Sequence, residues 1–118
     1  MENRELALKA AKILEDKKAR DIIIIDIREK ASFADFFVLA SGNSEIQIGS
    51  LSEEVEDRFQ KEGLSPKGIE GHRRSGWILM DYGDVIVNLL TTEMRERYNI
   101  EKAWGDGNFI SLEGSENE

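Results

Sequence analysis

The sequence predicts an α/β fold of the α+β kind: one domain with a mixed β-sheet flanked by helices, in the order α-β-β-α-β-β-β-α. Three observations carry that reading. Two long charged segments hold apolar residues at helical spacing. Short β-branched or aromatic runs lie between and after them. Gly63, Pro66 and Gly83 fall at the joints between runs.

The elements follow in chain order. Residues 3–18 place Leu6, Ala10, Ile13 and Leu14 at i, i+4, i+7 and i+8, a single stripe on an otherwise charged helix. The run DIIIIDI, 21–27, is β-branched and bounded by aspartates, which predicts a buried strand. Residues 28–32 make a turn, and 33–40 form a second strand antiparallel to the first. The second helix covers 45–62, with Ile48, Leu51, Val55 and Phe59 on one stripe. Gly63 stands where a left-handed residue ends a helix, and Leu64 is the apolar partner of that cap. Pro66 precedes a short strand at 67–70 and a loop at 71–75. Trp77–Tyr82 and Asp84–Leu90 then form a hairpin through Gly83. A last helix spans about 92–104. Residues 1–106 are expected to be the domain, and 107–118 an acidic tail, mobile at least after Glu113.

Composition narrows the function. A chain of 118 residues makes one domain, burying roughly 65% of its unfolded surface. There are no cysteines and one histidine, His72, which argues against disulfides and zinc. No apolar run approaches the roughly 20 residues that span a bilayer. The charged start, MENRELALKAAK, lacks a signal peptide's apolar core, so a cytoplasmic protein is expected. Acids outnumber bases 24 to 16, a net charge of −8. Nucleic-acid binding needs a basic face, so dominant RNA or DNA binding is not expected, whereas docking on a basic protein is compatible.

The stretch SGNSEIQIGS, Ser41–Ser50, tests for nucleotide chemistry, because a strand that breaks at glycine and opens a helix is how many proteins cradle phosphate. Ser44-Glu45-Ile46-Gln47 fits a capping box: the Ser44 hydroxyl takes the Gln47 N–H and the Gln47 side chain returns to the Ser44 N–H. That explains the serine without a ligand. A nucleotidyltransferase using the Gly42–Ser44 loop remains the alternative function. It would need paired carboxylates for Mg²⁺ on a following strand, and KGIEG offers only Glu70. Asp81 and Asp84 flank a turn, where aspartate is expected anyway. Asp26 and Asp35 lie on adjacent strands without obvious partners, and His72 sits in the charged loop EGHRRSG. No catalytic residue, metal ligand or cofactor is assigned.

Aromatic residues are more informative. Trp77, Tyr82, Tyr98 and Trp104 are all the Trp and Tyr of the chain, within its last 42 residues. Strand alternation puts Trp77, Leu79 and Asp81 on one face and Ile78, Met80 and Tyr82 on the other. Both faces are largely apolar, so either helices cover both or one docks a partner. Trp77, Met80 and Tyr82 are the hairpin's docking candidates. Trp77 and Tyr82 are not equivalent, and Trp77 is favoured as the contact.

Four segments carry a resemblance: DFFVLASGNSEIQI (35–48), Glu70-Gly71, WILMDYGDVIV (77–87) and RERYNIEKAW (95–104). Their order and spacing resemble the Iojap-like proteins, or ribosomal silencing factors, over roughly 5–106. Asn88 stands where that family usually has histidine, and Ile100 and Ala103 replace its leucine pair. The resemblance implies a nucleotidyltransferase-like fold without catalytic carboxylates and a non-catalytic regulator of translation. It implies binding to the large ribosomal subunit through the universal ribosomal protein known as L-fourteen, blocking the small subunit from joining. It also implies a homodimer when free. The docking surface is expected on the hairpin strand and the segment after it, so Arg95 and Tyr98 complete the partner-binding candidates.

Overall fold

The computed structural model describes residues 2–104 and 108–110. Helix α1 (Asn3–Asp16) leads into strands β1 (Arg20–Asp26) and β2 (Phe36–Gly42), then helix α2 (Glu45–Gln60). Strands β3 (Gly68–His72), β4 (Trp77–Asp81) and β5 (Val85–Thr91) follow, with a 3-10 turn over Arg73–Ser75. Short helices α3 (Thr92–Tyr98) and α4 (Ile100–Ala103) precede strand β6 (Asn108–Ile110).

The sheet runs β3-β4-β5-β2-β1-β6. Only β2 and β5 pair in parallel among the described strands; every other ladder is antiparallel. This is the mixed sheet expected from sequence. The parallel pair needs a long crossover, supplied by α2 and the β3–β4 hairpin. Every residue of β2 is buried, because helices cover both of its faces. On one face Phe36, Val38, Met80, Val87 and Leu89 meet Leu6, Ala10, Leu14, Leu51, Val55 and Phe59 from α1 and α2. On the other, Ile25, Phe37, Leu39 and Ile86 pack beneath Ile100 and Trp104. Each large apolar side chain fully buried in these layers stabilises the fold by about 1.5–3 kcal/mol.

Local signals set the joints. The Leu64 N–H reaches the Phe59 carbonyl and the Gly63 N–H that of Gln60, both at 2.9 Å, with Gly63 at φ +82°. This is the six-to-one and five-to-two pattern of a Schellman cap, and Leu64 packs on the core as its apolar partner.

Four elements differ from the sequence reading. Strand β2 starts at Phe36, since the chain bends at 33–35 and leaves Phe33 58% exposed. Strand β3 continues to His72. The last helix breaks at Asn99, which adopts φ +40° and caps α4 by accepting the Lys102 N–H. Strand β6, unforeseen in the sequence, covers β1 with Ile110 opposite Ile24 and Phe109 opposite Ile25. The expectation of a mobile end concerns residues outside the described ones.

Candidate docking surface on the open sheet face

Alternation along β4 decides which candidates can meet a partner. Ile78 and Met80 point beneath the helices and are buried, while Trp77, Leu79 and Asp81 point to the other face and are half-exposed. Trp77 is held in place from below: its Nε1–H donates to Asn88 Oδ1 at 3.0 Å. Tyr98, 52% exposed at the end of α3, packs against it with ring centroids 5.4 Å apart and planes tilted by 47°. Around this pair lies an open, largely apolar hollow of about 420 Å³, lined by Glu70, Gly71, Ser75, Trp77, Leu79, Met94 and Tyr98.

The other three partner-binding candidates are not on this surface. Met80 is fully buried, and its sulfur accepts from the Ser52 hydroxyl at 3.7 Å. It is a core residue. Tyr82 lies on the helix side, edge-on to Phe59 at 4.9 Å, with its hydroxyl buried and unpartnered. Burial pushes that hydroxyl up to about 12, and the Glu56 charge adds to the shift. Arg95 is 7% exposed; its Nε donates to Glu101 and its Nη1 to Ser41, each at 2.9 Å. Basic helix residues normally point to solvent, and Ser41 lies 54 residues away, so nothing local in the sequence announces this burial.

Strand alternation put Leu79 beside Trp77, but sequence reasoning missed the other parts that complete the hollow. Met94 and Glu70 join them there only through the β3–β4 ladder and the placement of α3. It also missed a second aromatic group on the same sheet face, where Trp104 stands edge-on to Phe37 at 5.1 Å beside Phe33.

The Ser41–Ser50 stretch is a helix start. Ser44 Oγ accepts the Gln47 N–H at 3.1 Å. The side chain of Gln47 accepts the Asn43 N–H rather than that of Ser44, so the return half of the capping box is shifted by one residue. The aspartates weighed as possible ligands have structural partners. The Arg28 guanidinium hydrogen-bonds Asp26 and holds its carboxyl below the usual range. Asp35 and Asp84 both accept from Asn3, and Asp81 takes the Gly83 N–H at 2.8 Å. Among the described residues, no group of three or more His, Cys, Asp or Glu could hold a metal ion. No helix of the described residues is long and apolar enough to cross a membrane.

This arrangement presents an aromatic pair beside a largely apolar hollow, the composition typical of interface anchors. Comparison with known proteins places it in a family. The family model described as "Ribosomal silencing factor during starvation" matches residues 1–118. "Ribosomal silencing factor RsfS" of Halalkalibacterium halodurans is 37% identical over 114 residues, 97% of each chain. A crystal structure of a Chromobacterium violaceum protein superposes with a TM-score of 0.85 at 35% identity, covering 89% of this chain and 88% of that one. A more distant mouse relative, "Mitochondrial assembly of ribosomal large subunit protein 1", is 30% identical over 95 residues, 78% of this chain and 42% of that one. The sequence resemblance and the whole-chain match agree, and the chain belongs to the ribosomal silencing factor family.

Proposed function

We propose that this protein represses translation by docking on the large ribosomal subunit through L-fourteen and blocking the small subunit from joining. The observation that carries the reading is the Trp77–Tyr98 pair beside an open apolar hollow on the sheet face away from α1 and α2. Membership of the silencing-factor family and the mouse relative's name support a large-subunit partner. The net charge of −8 suits a basic ribosomal protein better than RNA phosphates. The role is regulatory rather than catalytic, in the cytoplasm, with a homodimer as the free form.

Cosedimentation with separated subunits tests the reading: the protein should pellet with large subunits and not with small ones. Added salt should weaken binding only modestly. A slope matching six to ten neutralised phosphates would make RNA the principal partner instead. Calorimetric titration with nucleotide and Mg²⁺ should show no saturable binding; a saturating isotherm would favour an enzyme using the Gly42–Ser44 loop.

A further inference from the structure

The sequence reading took Arg95 for a partner-binding residue, and the structure buries it, with two side-chain ties close to Tyr98. Helix α3 has seven residues, too few to be stable without tertiary ties. Beyond it the chain turns sharply at Asn99, φ +40°, and returns as the four-residue α4. The Arg95 guanidinium spans this reversal. Its Nε donates to Glu101 of α4 at 2.9 Å and its Nη1 to Ser41 of β2 at 2.9 Å, fastening both short helices to the centre of the sheet. Tyr98 lies three residues on, on the adjoining face of the same helical turn, and leans on Trp77.

The arrangement carries a stability cost. The guanidinium is desolvated and Nη2 is buried without a partner. Burying polar nitrogen unpaired is unfavourable, and an apolar side chain of similar volume would avoid it. What only a planar, forked donor supplies is two simultaneous, directional ties. We propose that Arg95 is a positioning residue for the docking surface: by joining α3, α4 and β2 it holds the Tyr98 ring against Trp77 before any partner arrives. This rests on the docking reading above. Preorganisation of that kind removes an ordering cost from the binding step.

The test combines a spectroscopic signature with a double-mutant cycle. In the parent, the Trp77 indole should displace the Tyr98 ring proton resonances from their free-tyrosine positions. Arg95→Lys keeps the charge and loses the fork. It should return those resonances towards the free positions while the methyl signals of Leu14 and Val55, under the other sheet face, stay unchanged. Large-subunit affinity should fall about tenfold. In a Tyr98→Ala background the same Arg95→Lys change should cause no further loss, because nothing remains to be positioned. Unmoved Tyr98 resonances in Arg95→Lys, or a full tenfold loss persisting without Tyr98, would overturn the proposal. Should Arg95→Lys unfold, Glu101→Ala removes the acceptor of one tie from the half-exposed side and is read in the same way. If Trp77→Ala also binds like the parent, the docking reading fails, and the Tyr98 resonances alone decide the positioning role.

Discussion

The Trp77 indole and the Asn88 amide are joined across neighbouring strands by a 3.0 Å hydrogen bond, with Asn88 only 3% exposed beneath the half-exposed ring. Asn88 lies opposite Leu79 in the β4–β5 ladder, so the bond runs diagonally to Trp77 and fixes the tilt of the indole. A histidine at position 88 could accept the same bond through a ring nitrogen.

Asn88→Leu should therefore cost about 1 kcal/mol of stability, the usual net value of one hydrogen bond, and loosen Trp77. Asn88→His should recover most of that loss. Denaturant unfolding with tryptophan fluorescence as the probe measures both. Equal destabilisation by leucine and histidine would mean that packing rather than the hydrogen bond matters at this position.

Trp77 and Met80 should part company on truncation. Met80→Ala removes a fully buried side chain and should cost about 2–5 kcal/mol of stability. Any loss of binding should follow the fraction unfolded. Trp77→Ala should cost less stability but about 2 kcal/mol or more of large-subunit binding, the signature of a hot spot. Thermal unfolding and cosedimentation on each variant decide the matter. A folded Trp77→Ala protein that cosediments like the parent would remove the hairpin face from consideration.

Tyr82 gives a pH prediction. Its hydroxyl is pushed up to about 12, chiefly by burial, against roughly 10 in an unfolded chain. Between those values the unfolded chain releases the phenol proton and the native state does not, so stability falls as pH rises. Tyr82→Phe should abolish that part of the alkaline loss. At pH 7 it should raise stability by about 1 kcal/mol, because an unpartnered buried hydroxyl disappears while the edge-on contact with Phe59 remains. Urea unfolding of both proteins at pH 7, 10 and 11 checks the sign; parallel curves across the range would place the hydroxyl in water.

The limits of the sequence reading have a common physical cause. Features encoded within one turn were legible: the Ser44 cap, the Gly63–Leu64 helix end and the turn after Asp81 each depend on neighbours a few residues apart. The alternation along β4 was legible too, but not which face the helices take, since that follows from packing of α1 and α2 against distant strands. Arg95, Asn88 and the hollow depend on partners up to 54 residues away. The break at Asn99 lay within reach, because asparagine both tolerates the left-handed region and caps helices. The surrounding strong helix formers hid it. Three residues of β6 gain their identity only from the β1 edge they cover.

Ser44→Ala isolates the helix-start reading of the Ser41–Ser50 stretch. Losing the 3.1 Å bond to the Gln47 N–H should cost about 1 kcal/mol and leave large-subunit binding unchanged once the unfolded fraction is counted. Loss of binding at an unchanged melting temperature would make Ser44 a contact residue.

The last prediction sets two glycines of nearly equal φ against each other. Gly63 and Gly71 have φ +82° and +81°, so alanine at either bears a conformational penalty, at Gly63 about 1–2 kcal/mol. Their surroundings differ. A Cβ at Gly63 would meet nothing within 4 Å, whereas one at Gly71 would lie 2.2 Å from the Trp77 carbonyl oxygen. Gly63→Ala should therefore cost only the conformational penalty. Gly71→Ala must also push β3 away from β4 at the Trp77 end. Because β3 is an exposed edge strand, the added strain should appear as local opening rather than global unfolding. Hydrogen exchange should show lost protection for the β3–β4 ladder with the β2–β5 amides unchanged, and large-subunit affinity should fall because Glu70 and Trp77 line the disturbed hollow. If the two variants are equally destabilised and the β3–β4 amides stay protected in both, the close approach of Gly71 to Trp77 does not govern this edge of the sheet.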